Sequence, residues 1–193
     1  FHLAASRKQT QLDNLLIELP QSRLQIDSLR ANYLLADSGL QKGSLQYSGK
    51  IIDPYITPSE LGCFAPILKD LRSSISITTS FRGSDSEVHI PSLLVSAAGH
   101  ELDLNANGWL SNWQQRPAWN LQLNRLAVSE GYLNLLAKLF PQIPSQLTTL
   151  GDIQLSGTCH RDKQGAGALL SDLHTDAGDA KVTINLAVDQ SFG

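Results

Sequence analysis

The sequence predicts a mainly β protein, an elongated antiparallel sheet built from two repeats of strand, short helix and further strands. Three observations predict it. Apolar residues alternate with Ser, Thr, Asn and Gln along much of the chain, charged residues supply only 17% of it, and one strand–helix–strands pattern occurs twice. The first copy spans residues 51–108 and the second 123–188. A repeated supersecondary unit points to an extended, stackable architecture rather than one pocket around one active site. The chain then divides into leading strands over 1–50, a first repeat over 51–116 and a second over 117–193, all read as part of a larger protein.

In chain order, residues 11–19 and 23–33 read as strands joined by the turn Pro20-Gln21-Ser22. Leu24 and Ile26 share a face, and Leu29, Ala31 and Tyr33 continue it after a one-residue slip, as a β-bulge would produce. Residues 44–52 alternate through Leu45, Tyr47, Gly49 and Ile51. Thr57-Pro58-Ser59-Glu60 then offers a hydroxyl N-cap, Pro at the first helical position and Glu at N3. A helix follows with Leu61, Phe64, Ala65, Leu68 and Leu71 on one face and a kink at Pro66. Residues 74–81 put Ile75, Ile77, Thr79 and Phe81 on one side, and 88–95, 101–110 and 118–126 repeat the style. Ser129 caps a second helix whose stripe is Tyr132, Leu136, Leu139 and Phe140, stopped by Pro141 and Pro144. Both helices are expected to plug the end of a sheet layer. Strands at 152–155 and 181–188 complete the second copy, with 176–180 as a turn. Phe64 and Phe140 mark equivalent helices, and Phe81-Arg82-Gly83 and Leu155-Ser156-Gly157 are expected to end equivalent strands.

Composition narrows the function. A net charge of −3, with no basic stripe, argues against a nucleic-acid partner. No run of about 18 apolar residues exists, so no transmembrane span is expected. The absence of Met suggests a processed or excised chain. Cys63, on the first helix, and Cys159, placed just after a strand, read as free thiols. His2, His89, His100, His160 and His174 show no metal-ligand spacing, and no metal or other cofactor is implied. There is no GxSxG elbow, and Gly165-Ala166-Gly167 lacks a phosphate-loop context and reads as a hairpin turn. Asp172, Asp176 and Asp179 lack the closing Glu of a calcium loop. The expectation is therefore a protein that is not an enzyme. Trp109, Trp113 and Trp119 are expected to pack the seam between the copies, with sugar stacking as the alternative.

The segments ITPSELGCFAPIL, ISITTSFRG and LHTDAGDAKVTINL, with the alternating strands around them, resemble the AsmA-like superfamily, in its TamB (translocation and assembly module) branch of Gram-negative envelope proteins. The resemblance covers most of residues 13–188. It implies a curled sheet, a β-taco or gutter or an open sandwich, with an apolar concave face and a polar convex one. It also implies a periplasmic segment of an inner-membrane-anchored protein, with phospholipid or another acyl-chain ligand as cargo. Outer-membrane assembly proteins would be partners through flanking regions. The family supplies no catalytic residues. Alternation nominates the groove: Ile75, Ile77, Phe81, Leu93, Val95, Leu102, Leu104, Leu121, Leu123, Ile153, Leu155, Val182, Ile184 and Leu186. The competing readings are a non-catalytic structural or interaction β-module of an outer-membrane assembly factor, and a carbohydrate-binding β-domain.

Overall fold

Side chains on a strand alternate between two faces, so a chain that alternates apolar and small polar residues makes a sheet with one dry side and one wet side. The computed structural model of the chain is such a sheet. It describes residues 1–187 except 37, 38, 53, 64, 65, 71, 72, 114, 141, 142, 163 and 164, with the backbone alone for residues 61, 63, 67, 70, 145, 186 and 187. The strands are β1 (His2–Ala5), β2 (Gln9–Leu19), β3 (Ser22–Asn32), β4 (Leu35–Ala36), β5 (Gly39–Leu40), β6 (Gln46–Ile51), β7 (Tyr55–Ile56), β8 (Ile75–Ser84), β9 (Glu87–Ala97), β10 (Leu102–Ser111), β11 (Ala118–Val128), β12 (Ile153–Arg161), β13 (Gly165–Thr175) and β14 (Gly178–Ala187). All but the β4–β5 hairpin join one 12-stranded sheet in the order β1-β2-β3-β6-β8-β9-β10-β11-β12-β13-β14, with β7 between β3 and β8. Every pairing is antiparallel. The main path is open, with β1 and β14 at its two edges.

The register shifts within a narrow band across the sheet. The extra residue lies in β3 near Asp27, in β9 beside Pro91, in β11 at Asn124–Arg125 and in β13 at Ser171–Asp172. The slip expected after Ile26 is one of these bulges. A proline lacks the ladder donor and is tolerated at such a bulge, which explains Pro91 within a central strand. Bulges bend a strand and raise its twist. Aligned across neighbouring strands, they put a crease across a mainly-β, curled sheet. Small residues occupy the inner side of the crease, where Ala106 is 2% exposed and Gly157 is buried. A Cβ on Gly157 would stand 2.2 Å from the Leu169 carbonyl oxygen and 2.9 Å from the Leu170 Cα.

Two helical connections lie at one end of the strands. The first differs from the expected amphipathic helix. Two 3₁₀ segments, Pro58–Cys63 and Pro66–Asp70, replace it, and Pro66 opens the second. The reason is a competing set of bonds. The Glu60 carboxylate, expected to cap its own helix, accepts from the Gln21 N–H at 2.8 Å and from the Ser22 hydroxyl in the β2–β3 turn. The Thr57 hydroxyl donates to the Gln21 carbonyl at 2.7 Å and meets the Ser74 hydroxyl at 3.1 Å, tying the start of this segment to the β2–β3 turn and to the approach to β8. Phe64, Ala65 and Leu71 of the expected stripe lie outside the described residues, as does Pro141.

The second connection holds the α-helix α1 (Glu130–Leu139), capped as expected by Ser129, whose hydroxyl accepts from the Tyr132 N–H at 3.2 Å. A short 3₁₀ segment, Ser145–Thr149, follows Pro144. Three strand expectations need correction. Gly157 lies inside β12 and does not end it, Cys159 lies within β12, and Gly165-Ala166-Gly167 opens β13.

Replacing Gly157 by Val should therefore lower stability by about 1–3 kcal/mol, because the backbone beneath it must move. Denaturant unfolding of the variant against the parent measures this, and an unchanged midpoint would mean that the crease is not closely packed.

Candidate functional site

Register places all the nominated groove positions on one face. The line Thr79–Leu93–Ala106–Leu123–Gly157–Leu170–Val182 runs without a break from β8 to β14. A second line, Ile77–Val95–Leu104–Leu126–Leu155–Leu173–Ala180, runs beside it towards the helical end. Ile75 pairs with Ala97, and Leu102 with Val128 and through it Ile153, still nearer that end. Phe81 lies on the same face opposite Gly49, its ring covering the place where a Cβ would be. Leu121 and Ile184 lie towards the hairpin end, and Leu186 takes the adjoining register position opposite Ala166. Six strand spacings of about 4.8 Å make the first line about 29 Å long.

Sequence reasoning missed several residues of this face. Val88, Ile90, Ala106, Leu110, Trp119, Leu126, Val128, Leu170 and Leu173 belong to it, as do Leu12, Leu15, Ile26 and Leu29 in the leading strands. Bulges hid them. Val88 and Ile90 are out of phase with Leu93 and Val95 until the extra residue at Pro91 is counted.

Among the described residues, a buried apolar cluster covers this face at one end. There α1 lays Tyr132 and Leu133 over Ala97, Val128 and Ile153, with Leu102, Leu126, Leu155, Leu173, Leu136 and Ile143 around them. Carboxylates fix this cover. Asp152 accepts from the Glu130 N–H at 2.8 Å, Asp176 from the Asp152 N–H at 3.0 Å, and Glu101 from the Ser73 hydroxyl at 2.8 Å. Burial raises the pKa of the Tyr132 phenol above its ordinary value, and the negative charge of Glu101 adds to the rise.

Away from α1 the apolar face stays open, with Leu121 39% and Ile184 47% exposed. The whole chain exposes 12661 Å². A compact protein of its 21.0 kDa mass would expose about 9,000 Å². Towards the hairpin end a concavity of about 340 Å³ is lined by Val88, Ile90, Leu93, Leu110, Trp119 and Leu121, among others. The opposite face carries Ser76, Thr78, Ser96, Asp103, Asn105 and Arg125 around a shallow depression of about 300 Å³.

The remaining candidates do not converge. Trp109 pairs with His89 and Asn120 on the polar face, while Trp119 pairs with Leu110 on the apolar one, so these two lie on the adjoining strands where the copies meet but on opposite faces. His174 meets Asp179 at 2.8 Å, and His100 meets Asp103 at 3.2 Å, each as an exposed pair. Among the described residues no three His, Cys, Asp or Glu side chains come together to hold a metal. Asp176 and Ala177 form the β13–β14 turn, and Cys159 is a free thiol. No helix among the described residues is long and apolar enough to cross a membrane. Comparison with family models, curated proteins and solved structures gives no match to this chain.

Two expectations separate the covered end from the open one. Ile153→Asn, beneath α1, should destabilise by about 2–5 kcal/mol, whereas Ile184→Asn should cost about 1 kcal/mol or less. Thermal unfolding of both variants decides, and equal losses would mean that the whole face is closed core. The raised Tyr132 phenol has a pH signature. Its contribution is constant below 10.0, the ordinary phenol value, and is lost as pH rises from there through the folded-state value, because only the unfolded state releases the proton early. Tyr132→Phe should remove that part of the alkaline decline in unfolding free energy.

Proposed function

We propose that this chain is a periplasmic segment of an AsmA-like, TamB-type envelope-biogenesis protein. Its apolar trough shields lipid acyl chains in transit between the inner and outer membranes. One observation carries the reading: a continuous apolar face, in register across the sheet, that the chain's own helices cover at one end and leave open elsewhere. Each methylene moved from water onto that face gains about 0.8 kcal/mol. A lipid tail spans about 15 Å, half the hydrocarbon core, so it fits along the floor with room to advance. No chemistry is needed, and the reading assigns no catalytic role to any residue. Flanking regions would link the trough to its anchor and to outer-membrane assembly proteins.

A structural or interaction module is the second reading, favoured by the unpaired edges of β1 and β14, which offer ladder groups to another strand. Sugar binding loses its support with the separation of Trp109 and Trp119 onto opposite faces.

The test is native mass spectrometry of the chain purified from a bacterial host, with organic extraction of what accompanies it. Phospholipid in a defined ratio is expected, and it should be lost when Ile77 and Ile184 are both changed to Asp in a variant that keeps its β-sheet circular dichroism. A stable monomer free of lipid would overturn the trough in favour of the interaction module.

A further inference from the structure

The two rims of the trough differ chemically. One carries α1 and the 3₁₀ segments, and α1 covers the apolar face there. The other is formed by the turns that follow β8, β10 and β12 and by the carbon-lined concavity of about 340 Å³ beside them. Register adds a charge at this second rim. Arg161, the last residue of β12, pairs with Trp119 of β11 and Ala166 of β13, which sets it on the apolar face. Among the described residues of the large sheet it is the only charged one on that face, since Arg23, Arg30, Lys50, Arg82, Arg125 and Lys181 all fall on the polar side. Arg161 is exposed, as is Arg116 in the adjoining loop, and among the described residues neither has an ion-pair partner.

A lone guanidinium beside a hydrocarbon floor suits an amphiphile with an anionic head and an apolar tail. Trp119 lies between the two, a ring with an apolar body and one polar N–H, the type that favours such boundaries. A peptide fits the floor poorly. Its amides would meet carbon and go unsatisfied. We infer that the hairpin rim is the head-group side of the trough: Arg161 holds the phosphate of a phospholipid while an acyl chain passes beneath Trp119 into the concavity. The inference rests on the proposed lipid trough and assigns it an orientation, so that lipid is admitted from the hairpin rim and its tail points towards the helical one.

Dodecyl phosphate and dodecanol share a tail and differ in the head. Each is titrated, below its aggregation concentration, into the full chain carrying Trp109→Phe and Trp113→Phe, so that emission reports on Trp119 alone. Calorimetry runs in parallel. The phosphate should bind about tenfold more tightly than the alcohol. Added salt should narrow the gap. Arg161→Gln should bring the phosphate down to the level of the alcohol, and Arg161→Lys should keep part of the preference. Equal binding of both amphiphiles with and without Arg161 would overturn the head-group site and leave the trough standing. Binding seen by calorimetry without a change at Trp119 would do the same. If neither amphiphile binds at all, the trough falls with it.

Discussion

Everything in this molecule depends on keeping strand parity in step. A single extra residue flips every side chain beyond it to the other face. A bulge whose sequence did not change phase with it would therefore put the residues beyond it on the wrong face. Here the extra residues in β3, β9, β11 and β13 fall within a narrow band on either side of one line, and the strands between them stay paired on both sides of it. The apolar side thus changes phase in sequence but not in space. The same alignment concentrates bending along one line, with Ala106 and Gly157 small enough to sit inside it. A trough needs both effects, continuity along the floor and curvature across it.

Stability and openness are divided between regions. The largest buried apolar cluster lies at the end beneath α1, where Tyr132 and Leu133 meet Val128 and Ile153. Backbone donors there are satisfied by carboxylates, with Asp152 serving the start of α1 and Asp176 the start of β12. Glu60 does comparable work between the first 3₁₀ segment and the β2–β3 turn. Hydrogen bonds to charged groups contribute more than neutral ones, about 1.5–3 kcal/mol each. The open floor can then keep exposed side chains such as Leu121 because the sheet ladder and the helical end hold the strands in place.

Much of this was legible in the residues, and the failures share causes. Alternation gave the strands and put every nominated position on one face, and the hydroxyl of Ser129 gave the start of α1. What alternation could not give was phase across a bulge. Ala166, Ala168 and Leu170 share a face with Leu173 only across the extra residue, and with Gly165-Ala166-Gly167 reading as a turn, β13 shows no sustained alternation in the sequence. The first helix failed for another reason. Glu60 has the right spacing to cap its own helix, but the β2–β3 turn offers it a backbone donor and a hydroxyl nearly forty residues away in sequence. Local spacing carries no information about such a competitor. Trp109 and Trp119 do lie where the copies join, but on opposite faces, because closeness in sequence says nothing about which face a residue takes.

The two helical connections lie at the same end of the sheet, and the reason is arithmetic. Between them run β8, β9, β10 and β11, an even number of antiparallel strands, so the chain returns to the rim it left before inserting the next helix. An odd number would place successive helices on opposite rims and block both. A four-strand step with one insertion is thus a module that can be duplicated in tandem without reversing its handedness. A gene encoding such units can lengthen by whole copies while one flank of the product stays sealed and the other stays accessible, whatever the number of copies.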